Sequence, residues 1–137
     1  MLAGLMVAGM SVAHIRDRLV ELVRACEAGH TLDAIERFYA EDVVVFENYE
    51  RARSGRAACV EYERAALAEQ PRPPKLVARA MAADEASGVS FVEWVIRFVG
   101  RDGRPMRLEE VAVQRWSGGA IVEERFFYEG AIDEGEP

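Results

Sequence analysis

Cysteine and histidine are both scarce in this 137-residue chain, with two of each: Cys26 and Cys59, His14 and His30. Two cysteines make no disulfide framework, and none of the Cys/His spacings of a zinc site occurs. The thiols read as free and buried, in a reducing compartment. A glycine-rich phosphate loop and the G-x-S-x-G turn of serine hydrolases are missing too. Positive charge is in short supply, since 17 Lys+Arg face 24 Asp+Glu for a formal net charge of −7. That balance argues against nucleic acid and against an anionic membrane surface as partners. No apolar run is long enough to span a bilayer. Both histidines fall in or beside the first expected helix, so neither is expected to be catalytic. Carboxylates are left as the candidates for chemistry, with no metal and no cofactor expected.

Half of the residues are hydrophobic and 30% are charged, the profile of one soluble globular domain. Residues 1–12 are small, apolar and Met-rich but lack the basic start of a signal peptide. They read as an N-terminal extension, expected to be disordered, and Met10 looks like a natural start. The domain is expected over 13–129, the acidic segment 130–137 as a mobile tail, and the location as cytoplasmic.

Ile15, Leu19, Leu22, Val23 and Cys26 have the spacing of an amphipathic helix that Gly29 ends. Thr31 is the expected N-cap of a second helix over Leu32–Tyr39. Ala40-Glu41-Asp42 breaks the pattern, and Val43 to Phe46 reads as a strand. Asn48 to Ser54 is polar and reads as a loop, and Gly55 to Glu69 returns to helical spacing. Pro71-Arg72-Pro73-Pro74 stops that helix. The rest reads as strands: Leu76–Ala83, Val89–Val99, Met106–Trp116 and Ile121–Tyr128, with an Asp-Gly turn at Asp102-Gly103. Helices first and a strand meander second make an α+β domain, with helices on one face of the sheet. A long curved sheet wrapped in that way encloses a cavity suited to small molecules.

Three stretches carry a resemblance. Phe38-Tyr39-Ala40-Glu41-Asp42 precedes a β-branched strand. A loop then ends in Arg53-Ser54-Gly55-Arg56-Ala57-Ala58, and the chain closes with Trp116-Ser117-Gly118-Gly119 through Phe126-Phe127-Tyr128. This pattern is similar to the SnoaL-like and ketosteroid-isomerase-like proteins of the nuclear transport factor two-like superfamily. The resemblance implies a cone-shaped, curved, mostly antiparallel sheet wrapped by three N-terminal helices, often dimeric. It also implies a small-molecule pocket that serves an isomerase, cyclase or dehydratase in some members and only binds in others.

Glu47 stands where ketosteroid isomerases hold their base, at the end of the first strand, so the resemblance makes it the first acid/base candidate. The plain alternative is an ion pair with Arg51 or Arg53. The isomerase's oxyanion donors correspond to Leu22 and Ala112, which cannot donate. The Arg-x-Asp pair of limonene epoxide hydrolases corresponds to Trp94 and Ile96, and their second Asp to Phe126. Strand alternation places Val45 beside Glu47 and sends Trp94, Ile96, Phe98, Leu108, Glu110, Ala112, Gln114, Phe126 and Tyr128 toward the cavity. Tyr62, on the helix, joins this expected lining. Glu110 is the second acid/base candidate, because burial of a carboxyl in an apolar cavity favours its neutral form. Its alternatives are an ion pair with Arg97 or Arg125, or a register shifted by one. The expected ligand is hydrophobic, flat and stacked between Trp94 and Phe126. Outward-facing Phe91, Val95, Val99, Val111 and Val113 imply a homodimer. An enzyme and a non-catalytic binding domain remain the two readings.

Overall fold

A computed structural model describes residues 14–135. The expected extension over 1–12 lies outside them. Helix α1 (Ile15–Glu27) buries Leu19, Leu22 and Val23. Its first turn carries no local side-chain cap. Instead the Glu85 carboxylate, far along the chain, accepts from the backbone N–H groups of Ile15 and Arg16 at 3.0 and 2.9 Å. An anion there offsets the positive end of the helix dipole.

Helix α2 spans Thr31–Phe38. It begins one residue before the expected start, so Thr31 is not its cap. The Thr31 hydroxyl reaches the Glu63 carboxylate at 3.0 Å instead. Strand β1 (Tyr39–Glu47) absorbs Ala40-Glu41-Asp42, which the sequence reading treats as a break. Strand β2 (Glu50–Ser54) replaces the expected loop. Its five residues are polar and basic, so its strand geometry comes from pairing with β1 and not from its own composition. Gly55 then turns the chain into helix α3 (Arg56–Glu69) at φ +90°, a conformation that side chains disfavour.

Four long strands follow: β3 (Lys75–Asp84), β4 (Val89–Val99), β5 (Pro105–Ser117) and β6 (Ala120–Phe127). A short β7 (Ile132–Asp133) pairs with β5 at Met106 and Arg107. That pairing falls inside the segment expected to be a mobile tail. The strand order is β2-β1-β6-β5-β4-β3. All pairs are antiparallel except β1 with β6. Breaks in register at Val45/Phe46, Ala78/Ala80 and Arg115/Trp116 bend the strands into an open curved sheet. The three helices and the sheet make the α+β roll that the sequence implies. Its core joins Leu19, Val23, Phe38, Val43, Val92 and Ile121. Among the described residues no helix is long and apolar enough to cross a membrane.

Candidate functional site

Against that core, the concave face and the helices leave a cavity of about 360 Å³. Small-molecule sites fall in the range of roughly 300–1,000 Å³. Trp94, Ile96 and Phe98 of β4 form one wall, with Leu108 of β5 beside them. Leu22 of α1 and Leu67 of α3 close the other side. Val45, Gln114, Phe126 and Tyr62 also line it. Two expected lining residues do not. Ala112 is fully buried beneath the cavity, in register between Val92 and Phe126, and its methyl is too short to reach past them. Tyr128 lies just beyond the end of β6, so strand alternation no longer governs it. Its backbone N–H donates to Asn48 Oδ1 at 3.0 Å, and its hydroxyl to Glu47 Oε1 at 3.2 Å.

Four carboxyl groups line this apolar space: Glu47, Glu63, Glu110 and Glu124. Glu63 is the one already tied to the Thr31 hydroxyl. Glu47 ends β1 directly before Asn48, whose φ of +54° turns the chain. Asn48 is anchored to the end of β6. Its N–H donates to the Phe126 carbonyl at 2.8 Å, and its own carbonyl accepts from Arg125 at 2.7 Å. That clamp fixes where Glu47 stands. The Arg53 guanidinium, from β2, lies 3.3 Å from Glu47 Oε2 and 3.9 Å from the centre of the Tyr62 ring. Among the described residues Arg53 is the one cationic side chain on the cavity lining. The pairing alternative for Glu47 is therefore present, together with its exposure to the cavity.

Glu110 is different in kind. It faces the cavity as alternation requires, directly across the β4–β5 ladder from Trp94. Neither expected ion-pair partner reaches it. Arg97 pairs with Glu134, and Arg125 lies over the Phe46 ring. Among the described residues it makes no hydrogen bond and no salt bridge. Burial pushes its carboxyl up to about 8, with further help from the nearby charges of Glu124 and Glu47.

Glu124 is a residue that sequence reasoning missed, as it missed its partner Tyr39. It is 5% exposed and heads a buried polar chain. Trp116 Nε1 donates to Ser90 Oγ at 2.8 Å, and the Ser90 hydroxyl donates to Gln114 Oε1 at 2.6 Å. Gln114 Nε2 donates to Glu124 Oε2 at 2.6 Å, and the Tyr39 hydroxyl donates to Glu124 Oε1. Burial raises the Glu124 carboxyl, while the hydrogen bonds from Tyr39 and Gln114 and the charge of Arg53 pull it down. A signal for Glu124 was available: if Phe126 faces inward, so does the residue two before it.

The remaining reactive side chains stand back. Cys59 is buried and Cys26 half-buried, both as free thiols. Burial pushes Cys26 up to about 12, and also raises Cys59. His14 and His30 are exposed at helix starts, outside the cavity. Among the described residues no three His, Cys, Asp or Glu side chains gather closely enough to hold a metal ion.

Residues 19–124 match the model of the SnoaL-like domain family. No curated protein matches the sequence. Among solved structures the chain is similar to a protein described as a SnoaL-like polyketide cyclase from Jannaschia sp. CCS1, with TM-score 0.68 and 12% identity. The match covers 82% of this chain and 83% of that one. It is also similar to the epoxide hydrolase/cyclase-like enzyme SalBIII, which has a role in pyran ring formation in the polyether salinomycin. There the TM-score is 0.69 and the identity 18%, over 83% and 89% of the two chains. A third is an NTF-2 like protein from Burkholderia xenovorans LB400, with TM-score 0.63 and 22% identity over 90% and 86%. At such identities the likeness establishes the fold.

Proposed function

The chain belongs to the SnoaL-like domain family, and from that premise we propose that its cavity takes a hydrophobic, carbonyl-bearing small molecule and moves protons on it with carboxyl groups. The reaction class is an isomerase, cyclase or dehydratase, in line with the cyclase-type descriptions of its structural neighbours. One observation carries the reading: two carboxyls in one apolar cavity, held in opposite ways. Glu47 accepts from a guanidinium and a phenol. Glu110 has no partner among the described residues and keeps its proton to about pH 8. A carboxyl that stays protonated can serve as the acid, and a carboxylate paired with a cation beside it as the base. Glu47 removes a proton from carbon next to the carbonyl, and the electron pair moves onto oxygen. Glu110 returns a proton elsewhere on the conjugated frame, and solvent exchange resets both groups. Trp94 and Phe126, on strands either side of β5, supply flat apolar surfaces for the substrate.

The test needs no knowledge of the natural substrate. 1-Tetralone in D₂O reports base catalysis as loss of its α-proton signal. The native protein should accelerate that loss, and Glu47→Gln should slow it by roughly 10²–10⁴-fold, the contribution of a positioned acid or base. The second reading, a domain that binds without turnover, is favoured by Leu22 and Ala112 at the two donor positions. Tetralone binding with no accelerated exchange would establish it.

A further inference from the structure

If proton abstraction occurs here, the developing oxyanion needs a hydrogen-bond donor, and Leu22 and Ala112 cannot supply one. The buried chain at the cavity floor contains a candidate. Its direction is set at one end by the Trp116 indole, which can only donate. Ser90 therefore accepts from Trp116 and spends its own hydrogen on Gln114 Oε1. The Gln114 amide is thereby oriented, and its nitrogen faces Glu124 Oε2. That oxygen is an acceptor. Any proton Glu124 gains must sit on Oε1, the oxygen shared with Tyr39.

Two arrangements follow. With Glu124 ionised, the Tyr39 hydrogen is spent on it. With Glu124 protonated, the carboxyl donates to the Tyr39 oxygen and the phenolic hydrogen is freed for another acceptor; Tyr39 lines the cavity. We infer that Tyr39, set by Glu124, is the hydrogen-bond donor for the ligand's carbonyl oxygen at the cavity floor. Glu124 is a positioning residue in this scheme. Burial of Glu124 away from direct contact with any cation favours its neutral form.

The register gives the substrate a shape. Glu124 pairs with Gln114, and Glu47 lies level with Phe126 and Ala112, one inward-facing step away. That step is roughly 7 Å along the strand. An oxygen at Tyr39 and a reacting carbon at Glu47 are thus about one ring apart. The class that fits is a flat conjugated ketone whose charge delocalises from the carbon to the distant oxygen. This inference rests on the pocket reading above, and the experiment separates the two.

Two probes of equal outline are used: 2-acetylnaphthalene, which has the acceptor oxygen, and 2-isopropylnaphthalene, which lacks it. Binding is followed by quenching of tryptophan fluorescence, and the carbonyl stretch of the bound ketone by infrared difference spectra. The native protein should prefer the ketone. Tyr39→Phe should weaken ketone binding by roughly 3- to 10-fold, as for loss of one neutral hydrogen bond, and raise the carbonyl frequency. Hydrocarbon affinity should not change. Glu124→Gln should do the reverse of a damaging change. Its amide oxygen accepts from Gln114, its NH₂ donates to the Tyr39 oxygen, and the phenolic hydrogen is held toward the ligand. Ketone affinity should therefore stay or rise. Native-like ketone affinity and carbonyl frequency in Tyr39→Phe would overturn the inference. If Tyr39→Phe does not fold, loss of ketone but not hydrocarbon binding in Glu124→Gln would overturn it equally. Failure of both probes to bind the native protein would overturn the pocket reading, and this inference with it.

Discussion

Glu110 is a single residue with a consequence for the whole stability curve. Folded, it holds its proton to about pH 8, whereas an unperturbed Glu in the unfolded chain releases it near 4.3. Between these values the folded state binds the extra proton, so stability falls as pH rises through that window. The drop from this one group is on the order of a few kcal/mol. Glu110→Gln removes the titration while keeping the shape. The variant should melt above the native protein at about pH 8, with the gap closing toward about pH 4.5. A variant that melts lower at the alkaline end would make Glu110 a structural group and remove the acid from the proposed pair. Glu110 was legible because alternation along an apolar strand leaves one parity for it. Tyr39 was not, because helical spacing runs through it and only tertiary packing ends α2 at Phe38.

Whole elements behave less predictably than single residues here. Strand β2 reads Glu-Arg-Ala-Arg-Ser, with no alternation to reveal it. Its pairing with β1 is a tertiary event, and it delivers Arg53 to the cavity. Strands β3 to β6 were legible because β-branched runs are punctuated by Gly, Ser and Asp-Gly turns. Between β4 and β5, Ser90 links Trp116 to Gln114 across the ladder with no exposed surface. Ser90→Ala leaves the indole N–H and the Gln114 carbonyl without partners. The expected loss is about 2–4 kcal/mol, the sum of two unsatisfied buried groups. Urea titration measures it, and a loss below about 0.5 kcal/mol would show that the two strands do not share a connected polar chain.

Across the whole molecule, the convex face of the sheet is only partly the apolar surface that the sequence implies. Val95, expected on it, is 5% exposed. Phe91 and Val111 are 40% exposed and Phe127 is 37% exposed, and the register places Val111 directly opposite Phe127. Tyr49 adds an exposed ring edge-on to Phe127 at 6.2 Å. Arg79, bridging Glu93 and Glu109, stands beside this patch as a polar rim. A rimmed apolar patch of this kind suits a two-fold contact between copies. Light scattering should give twice the chain mass at micromolar concentration, and Phe91→Glu should halve it. The native mass of a single chain across that range would sink the dimer.

The parallel junction of β1 with β6 has a further consequence, in time rather than space. Tyr39 and Glu47 ride on β1, while Glu124 and Phe126 ride on its neighbour near the other end of the domain. During synthesis β1 waits, paired at most with β2, until nearly the whole chain has emerged. Closing so large a loop is slow, because its entropy is lost before the contacts repay it. The helices and the β3–β5 meander are built from more local contacts and can form sooner. The chemical groups of the cavity therefore come together last, in the same event that seals the sheet. A nascent chain held short of β6 would carry the Trp94 wall but neither Phe126 nor the convergence of Glu47 with Glu124.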